Sequence, residues 1–393
     1  MAHITIKNIG AIKEVDLDLN KINVFMGAQS SGKSTIAKII CHCQWIEKRY
    51  FADLEKGDTL FQDNNSFYDK MVEYHRLDGY FDKKSYIYYK GEYITLEYHH
   101  QDKKISINKE QNTQYKYPKI AYIPSERNLV AAIPNLKKYN ETNDTILYFM
   151  YDWFSAREAL TEISLKDILQ HKIEYLYSND RDYIIDRGKK ILITNASSGI
   201  QSLTPLIAVL KNSLENVYYK KRPLSYEQKI IIENQLSRLT LSNTSNIRNY
   251  EENKQQIEST FDYHLSNIFL EEPEQNLFPN TQLKFMYWLT RKLRRKKHQL
   301  TLTTHSPYIL FALNNCMMGG LVDIKIPQKK RLGFESSDAW ISPQNVSVYE
   351  ITDGILRCIQ DKDGIIENNY LNQAYKEVSD EYLSLLDYYY DKE

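Results

Sequence analysis

The residues with the clearest chemical pattern form a glycine-rich loop near the start of the chain. Its eight positions match the spacing G-x-x-x-x-G-K-[ST] without a gap, and they are Gly27, Ala28, Gln29, Ser30, Ser31, Gly32, Lys33 and Ser34. The two glycines allow backbone angles that turn consecutive N–H groups inward, where they can hold phosphate oxygens. Lys33 can reach the outer phosphates, the Ser34 hydroxyl can ligate Mg²⁺, and Thr35 carries the motif into a helix. The loop therefore predicts a site for ATP with Mg²⁺.

Three acidic residues follow an apolar segment later in the chain. Ile268-Phe269-Leu270 leads directly into Glu271 and Glu272, and Glu274 follows after Pro273. At the carboxyl end of a parallel strand, side chains face the ligand crevice of an α/β sheet. Glu271 suits a role in holding Mg²⁺, and Glu272 suits a base that polarises the water attacking the terminal phosphate. Two glutamates after a strand are more often a solvated turn, but the phosphate loop upstream favours the catalytic interpretation.

A histidine ends the next apolar strand. His305 follows the buried-strand pattern of residues 300–303, about thirty residues beyond the acids. A lone histidine is usually a structural residue. Beside a phosphate loop and an acidic strand end, His305 is expected to hydrogen-bond the terminal phosphate or the attacking water.

Composition narrows the possible functions of this 393-residue chain. Its 51 basic and 51 acidic residues cancel, so attraction to nucleic acid by bulk charge is not expected. Four cysteines do not form a disulfide scaffold. No run of ~18 uncharged apolar residues occurs, and the start lacks the pattern of a secretion signal, so a cytoplasmic location without membrane contact is expected.

One local basic stretch leaves two interpretations open. Residues Arg291–Lys297 carry six basic side chains on a predicted helix: Arg291, Lys292, Arg294, Arg295, Lys296 and Lys297. They suit a solvated helix end, where cations interact favourably with the helix dipole. They also suit contact with the phosphate backbone of DNA or RNA.

Together these pieces resemble the ABC-type ATPase superfamily, and more narrowly its soluble SMC/RecF/OLD branch. The resemblance is carried by residues 6–10 before the phosphate loop, the acidic motif 271–279, and Thr304-His305-Ser306-Pro307. Phe278 stands where relatives commonly have a histidine. The resemblance implies an α/β fold of the P-loop NTPase type, built as an ABC ATPase head with an antiparallel β lobe and an inserted helical lobe.

The same resemblance identifies a signature loop, which in the family contacts the terminal phosphate bound by the opposite subunit. The matching residues are Ser197, Ser198, Gly199 and Gln201. The segment departs from the Leu-Ser-Gly-Gly-Gln of transporters, and it also fits an ordinary helix N-cap. The family's Gln loop has no glutamine here, since Pro124-Ser125-Glu126-Arg127 occupies its place. The resemblance implies a homodimer, or a higher even oligomer, that closes around the nucleotide.

The predicted elements divide the chain into three parts. Residues 1–124 hold the phosphate loop and an antiparallel β lobe near 81–109, residues 125–262 are expected to be mostly helical with the signature loop, and residues 263–393 hold the acidic motif and His305. Short strands and a tyrosine- and leucine-bearing helix near 370–390 are predicted in the last part. Motifs at both ends indicate one α/β core interrupted by inserted lobes.

Three hypotheses about function follow from the resemblance. The first is an ATP-hydrolysing switch that controls a nuclease-like partner effector, as in compact ATPases of bacterial anti-phage systems such as Septu and PARIS. The second is a RecF-like clamp that closes on DNA. The third is a scaffold that binds ATP tightly and scarcely hydrolyses it.

Overall fold

A single large sheet connects most of the chain in the computed structural model. The structure describes residues 2–52, 66–110, 115–133, 144–169, 171–218, 232–233, 236, 247–294, 296–367 and 369–390. The strands are β1 (Ala2–Ile9), β2 (Ile12–Leu19), β3 (Ile22–Gly27), β4 (Phe81–Lys90), β5 (Ile94–His99), β6 (Lys104–Lys109), β7 (Pro118–Ile123), β8 (Glu162–Ser164), β9 (Ile173–Ser178), β10 (Arg181–Asp186), β11 (Lys189–Leu192), β12 (Leu265–Glu271), β13 (Gln299–Thr304), β14 (Val346–Thr352) and β15 (Ile355–Cys358).

Eight helices of ten residues or more accompany these strands within the described ranges. They are α1 (Lys33–Ala52), α2 (Ser66–His75), α3 (Thr145–Ala159), α4 (Ser198–Leu214), α5 (Ile247–Ser259), α6 (Pro279–Leu293), α7 (Pro307–Val322) and α8 (Tyr370–Tyr390). Two four-residue helices, Leu129–Ala132 and Gln328–Arg331, lie between the longer elements. None of the helices in the described ranges has the length and hydrophobicity that crossing a membrane requires.

The main sheet has eleven strands in the order β6-β5-β4-β1-β2-β15-β14-β3-β13-β12-β7. Strands β14, β3, β13, β12 and β7 are mutually parallel. Every residue of β3 is buried, which agrees with its continuous apolar sequence and its central place in a sheet covered on both faces. Because β13 separates β3 from β12, the phosphate loop, the acidic motif and His305 all follow adjacent parallel strands at one edge of the sheet.

The two faces of the sheet carry separate cores. Phe25 of β3 packs on the face covered by α1, with Ile36 and Ile40. Val24 points to the other face and packs with Leu206 of α4 and with side chains of α6 and α7. The alternating direction of successive β3 side chains therefore anchors the strand that leads into the phosphate loop from both sides.

The structure confirms the predicted α/β class and has the strand–phosphate loop–helix arrangement of a P-loop nucleotide-binding fold. The predicted antiparallel strands near 81–109 are present as β4, β5 and β6. They extend the main sheet through β1, which pairs with both β2 and β4. The β lobe is therefore continuous with the nucleotide-binding sheet.

The mostly helical interpretation of residues 125–262 was wrong for residues 162–192. These residues form a second, four-stranded antiparallel sheet in the order β11-β10-β9-β8. Trp153 of α3 is fully buried against Tyr175 of β9, and Arg157 donates to Asp182 at 2.9 Å. Packing against α3 therefore stabilises strands of only three to six residues. Residues 219–231, 234–235 and 237–246 of this part, which was predicted to be mostly helical, lie outside the described residues.

Candidate functional site

One cleft brings together residues from five separate segments of the chain. Its volume is about 420 Å³. The phosphate loop from Gln29 to Thr35 forms one wall, and Glu272 and His305 line the same space. Gly10, Ala11, Gly79 and Tyr80 complete the lining. The sequence predicted the first three groups, whereas nothing in the sequence indicated that residues 79–80 reach the site.

The phosphate loop has a conformation that depends on its glycines. Gly32 has φ +104°, and a Cβ built on it would lie 2.9 Å from Cγ1 of Ile12. A Cβ on Gly27 would lie 2.6 Å from the main-chain oxygen of Ile351. Both contacts are closer than side chains tolerate, so β2 and β14 press directly on the loop. Because β2 and β14 pack so closely behind the loop, its other side forms a cradle lined by main-chain atoms, which can bind phosphate oxygens.

Lys33 is turned back onto the loop. Its side chain is only 4% exposed, and Nζ donates to the main-chain oxygens of Gly27 at 2.9 Å and Ala28 at 2.7 Å. Burial lowers the pKa of Lys33 to about 8, although the carboxylates of Glu272 and Glu274 partly oppose that shift. A buried ammonium at the base of the cradle provides the positive charge that a triphosphate requires.

Glu272 and His305 lie together at the open side of the cleft. His305 Nε2 is 3.6 Å from Oε1 of Glu272, and both side chains are about one-third exposed. Partial burial, together with the charge of Lys33, lowers the pKa of His305, while Glu272 opposes the shift. His305 is therefore neutral at neutral pH and can both donate and accept a hydrogen bond.

The backbone at Glu272 leaves the extended conformation. Its φ is +42°, in the left-handed region, and its N–H donates to the carbonyl of Thr303 at 2.9 Å. The strand therefore turns sharply immediately after Glu271. This turn directs the Glu272 side chain into the cleft while Glu271 stays within the strand.

Glu271 occupies a different environment from Glu272. Its side chain is 6% exposed and accepts a hydrogen bond from the hydroxyl of Tyr122. It is not among the residues that line the cleft. Its expected role as a Mg²⁺ ligand remains a prediction, and the other metal candidate, Ser34, lines the cleft.

The donor chemistry of the cleft fits Mg²⁺, which prefers hydroxyl, carboxylate and phosphate oxygens. Ser34 supplies a hydroxyl, and Glu272 supplies a carboxylate. Within the residues that the structure describes, no cluster of three or more His, Cys, Asp or Glu side chains is placed to hold a metal ion. A magnesium site here would therefore depend on phosphate oxygens of the nucleotide as well as on Ser34.

Arg127 and Glu274 support this site, and the sequence did not assign them these positions. Arg127 is fully buried and donates to the main-chain oxygens of Glu271 at 2.8 Å and Glu272 at 2.7 Å. Oε1 of Glu274 accepts from the N–H of His305 at 2.6 Å. The guanidinium of Arg127 therefore fixes the acidic turn. In the sequence, the position of Glu274 as the third acid of the motif was the feature that could have indicated its role.

The signature residues lie outside this cleft. Ser197 and Ser198 are exposed, and Gly199 and Gln201 are half-buried at the start of α4. A Cβ on Gly199 would lie 2.8 Å from the main-chain oxygen of Asn276, and the Gln201 amide donates to the carbonyls of Ile193 and Thr194. The loop is thus held rigidly at the surface, with the N-terminus of α4 facing solvent.

The basic stretch makes several contacts within the chain. Arg291 pairs with Asp338 at 2.5 Å and with Asp167 at 3.3 Å, and Lys292 pairs with Glu215 at 2.5 Å. Arg295 lies outside the described residues. Contact of this stretch with nucleic acid remains a prediction, although two of its cations already have acidic partners.

A larger cavity of about 780 Å³ lies at the opposite, amino ends of the parallel strands. Two of its polar side chains are hydrogen-bonded: Asn267 donates to Gln44 at 2.8 Å, and Glu47 accepts from the main-chain N–H of Tyr93 at 2.7 Å. Because the phosphate loop, Glu272 and His305 do not line this cavity, it does not compete as the candidate site.

No family model matches the chain, and no curated protein matches it. Solved structures with a similar fold include an SMC head bound to the C-winged helix domain of ScpA (10% identity, TM-score 0.39, covering 91% of this chain and 96% of that one). The SMC head domain from Thermotoga maritima is similar at 10% identity and TM-score 0.39, covering 93% and 98% of the two chains.

An ATP-binding cassette of an ABC transporter, MJ1267 in its ADP conformation, is also similar. Its identity is 12% and its TM-score 0.33, and the match covers 91% of this chain and 90% of that one. Similarity at this level carries no argument about activity. The geometry of the cleft must therefore support any functional assignment.

Proposed function

We propose that this protein binds ATP with Mg²⁺ and hydrolyses it in a site that two copies of the chain complete. The observation that carries the proposal is the single cleft in which Lys33, Glu272 and His305 meet. Lys33 begins α1 after the loop that follows β3, and Glu272 and His305 directly follow β12 and β13, which are parallel to β3 in the same sheet. A phosphate cradle, a carboxylate and a neutral imidazole are the groups that phosphoryl transfer to water requires.

Each group has a role that follows from its position. The loop N–H groups and Lys33 hold the phosphates, with Lys33 exchanging its carbonyl partners for phosphate oxygens. Ser34 is the proposed Mg²⁺ ligand within the cleft, and Glu271, which does not line the cleft, is proposed to act on the ion through water. The ion would neutralise phosphate charge. Glu272 accepts a proton from the attacking water, and His305 hydrogen-bonds the terminal phosphate. The clamp from Arg127 keeps the Glu272 turn in place, so the carboxylate is preorganised.

The position of the signature loop supports completion of the site by a second copy. Ser197, Ser198, Gly199 and Gln201 do not line the cleft of their own chain, yet they present an open helix N-terminus to solvent. Such a terminus attracts anions. In a pair of chains related by a two-fold axis, each loop would cover the nucleotide held by the other. ATP would then join the copies, and hydrolysis would release them.

This ATP-dependent closure is the means by which we propose the protein controls a partner effector, in the setting of bacterial anti-phage defence that the sequence resemblance suggests. A RecF-like role on DNA is the alternative. The ion pairs of Arg291 and Lys292 with acids of the same chain favour the effector hypothesis over a DNA clamp. DNA binding that depends on ATP and weakens with salt would favour the alternative.

Two variants test the site directly. Lys33→Ala should abolish ATP binding measured by calorimetry, and Lys166→Ala, on the exposed surface, is the matched control. Glu272→Gln should retain ATP binding, lower turnover by about 10²-fold or more and accumulate ATP-bound dimers. Glu162→Gln, an exposed glutamate of β8, is its control. If Lys33→Ala binds ATP with unchanged affinity, the assignment of the nucleotide site is wrong. If Glu272→Gln turns over ATP at the wild-type rate, the hypothesis of a scaffold that binds ATP tightly and scarcely hydrolyses it is the one that remains.

A further inference from the structure

Helix α8 extends from the body of the protein as an arm. Its first two residues, Tyr370 and Leu371, pack on the core. From Gln373 onward every described side chain is exposed except Ser379 and Leu386, which are half-buried. At 1.5 Å per residue, about 27 Å of helix lies against solvent. A helix of that length is marginal in water by itself, so the sequence of the arm should contain a surface that packs on something else.

That surface is a stripe of large apolar side chains. Tyr375, Val378, Tyr382 and Leu385 are 77%, 68%, 62% and 61% exposed. They recur at intervals of three, four and three residues, which places them along one face of the helix. We call these four residues the α8 stripe. Spacing of this kind is typical of a helix that lies in an apolar groove of a protein.

The charge of the arm is strongly acidic. Between residues 376 and 387, Glu377, Asp380, Glu381 and Asp387 oppose the single cation Lys376, so the net charge is −3. Two such arms placed side by side would repel each other. The α8 stripe therefore fits a groove with basic edges better than it fits a second α8.

The same chain has a groove of that description at the end of α7. Its volume is about 440 Å³, and its lining includes Pro327, Gly333 and Phe334 together with Lys325, Lys329 and Lys330. Beside it, Ile324 is 95% exposed and Leu332 is 88% exposed. Residues 324–334 carry three lysines and one arginine and no acid, which gives a net charge of +4. We call this surface the basic groove.

The lysines of the basic groove are available for a partner. Arg331 is engaged by Asp323, at 2.8 Å. Lys325, Lys329 and Lys330 have no acidic partner among the residues that the structure describes. An exposed apolar patch with a rim of cations marks a protein interaction site. Since the arm and the groove of one chain are both exposed, they are not docked on each other.

We propose that the α8 stripe of one copy docks in the basic groove of a second copy of this chain. Both halves of the contact are present on the same polypeptide, and their apolar character and charges are complementary. The two surfaces differ, so the contact is head-to-tail, and a pair of copies keeps one free groove on the first copy and one free arm on the second. The contact requires no nucleotide and is separate from the proposed two-copy ATP site.

Sedimentation velocity without nucleotide tests the proposal. The 46.5 kDa chain should form concentration-dependent assemblies that weaken as salt is raised. Glu377→Lys with Glu381→Lys, the two acids on the side of α8 next to the stripe (the arm variant), and Lys329→Glu with Lys330→Glu (the groove variant) should each weaken association by about tenfold or more. A chain with all four changes should associate more strongly than either variant alone, because the substituted positions again carry opposite charges. Lys83→Glu with Lys84→Glu, an exposed pair on β4, is the control.

Mixing the two variants distinguishes the proposed contact from its rivals. The arm variant keeps an intact groove, and the groove variant keeps an intact arm. An equimolar mixture should therefore form dimers and nothing larger. Self-association of the groove variant at wild-type strength would show that α8 pairs with α8 instead. A wild-type chain that stays monomeric at about 100 μM, a concentration far above that needed for specific association, would overturn the proposal.

Discussion

The guanidinium of Arg127 donates to the main-chain oxygen of Glu272 at 2.7 Å, so a fully buried cation holds the backbone of the proposed catalytic base. A second bond, to the Glu271 oxygen at 2.8 Å, fixes the residue on the other side of the turn. Burial lowers the pKa of Arg127 to about 10, and the nearby glutamates oppose the shift. The guanidinium remains charged at neutral pH, and its planar fork matches two carbonyls at once.

Arg127→Lys should therefore lower the rate of ATP turnover without weakening ATP binding. One ammonium cannot reproduce the fork, so we expect a loss of about 1–3 kcal/mol in the free energy of unfolding. Turnover should fall by roughly tenfold or more because the carboxylate of Glu272 is displaced, while ATP affinity stays close to that of the wild type. Steady-state kinetics and calorimetry measure the two quantities. Arg187→Lys, in an exposed turn, is the control, and equal loss of affinity and turnover would contradict a positioning role.

Proton uptake should accompany nucleotide binding at alkaline pH. Lys33 has a pKa of about 8, and phosphate oxygens beside it should raise that value. At about pH 8.5 the free protein therefore holds Lys33 largely neutral, and binding should take up about half a proton or more. Calorimetry in buffers of different ionisation enthalpy measures this uptake. Near pH 6.5, where Lys33 is already charged, its contribution should vanish, and an equal uptake at both pH values would argue against Lys33 as the phosphate ligand.

Glu274→Gln should stabilise the protein near neutral pH or leave its stability unchanged. Burial raises the pKa of Glu274, although its hydrogen bond from the His305 N–H opposes the shift. A carboxyl with a raised folded-state pKa contributes stability at low pH that is lost as the pH rises through that pKa. Glutamine removes the cost of the buried charge and keeps an oxygen for His305. The advantage of the variant in thermal unfolding should shrink as the pH falls, and a large loss of stability at pH 7 would contradict this account.

Tyr370→Phe tests a contact between the arm and the phosphate loop. The Tyr370 hydroxyl donates to the main-chain oxygen of Gly27 at 3.1 Å, and Lys33 donates to the same oxygen. When Lys33 turns to a phosphate, Tyr370 should be the donor that still satisfies this carbonyl. We therefore expect ATP affinity to fall by about threefold to tenfold, since a net hydrogen bond contributes ~1 kcal/mol.

The fold of the free protein should scarcely change in this variant, because Lys33 still donates to Gly27. Thermal unfolding without nucleotide serves as the internal control for Tyr370→Phe. Tyr382→Phe, on the exposed part of the same helix, is the matched substitution. If Tyr370→Phe weakens the free protein and leaves ATP affinity intact, the hydroxyl serves only to hold α8 in place.

Local pattern was sufficient to predict the main elements of the site. The all-apolar run of β3 and the loop at 27–34 predicted the phosphate cradle, and strand ends predicted roles for Glu272 and His305. The rule that parallel strands direct their carboxyl ends to one edge then placed the two side chains together, which the structure confirms. These predictions depended on residues close in sequence.

Other features depended on tertiary contacts that a local pattern does not reveal. The second sheet was missed because β8 to β11 are short, and their stability comes from packing on Trp153. The two-residue turn at Asn179-Asp180, between alternating segments, was the unused signal. The Arg127 clamp could not be predicted, because its acceptors are main-chain carbonyls about 145 positions away. Every residue has such a carbonyl, so the residue types do not reveal which ones accept a hydrogen bond.

The central position of β3 has a consequence for biosynthesis. Ile22 pairs with Leu300 on one side and with Val346 on the other, so both neighbours of the phosphate-loop strand are translated long after it. The phosphate loop emerges early from the ribosome. The two strands that flank β3, which are β13 and β14, are absent until nearly the whole polypeptide has emerged. Prematurely terminated fragments should therefore lack a formed nucleotide pocket and be unable to compete with finished molecules for ATP.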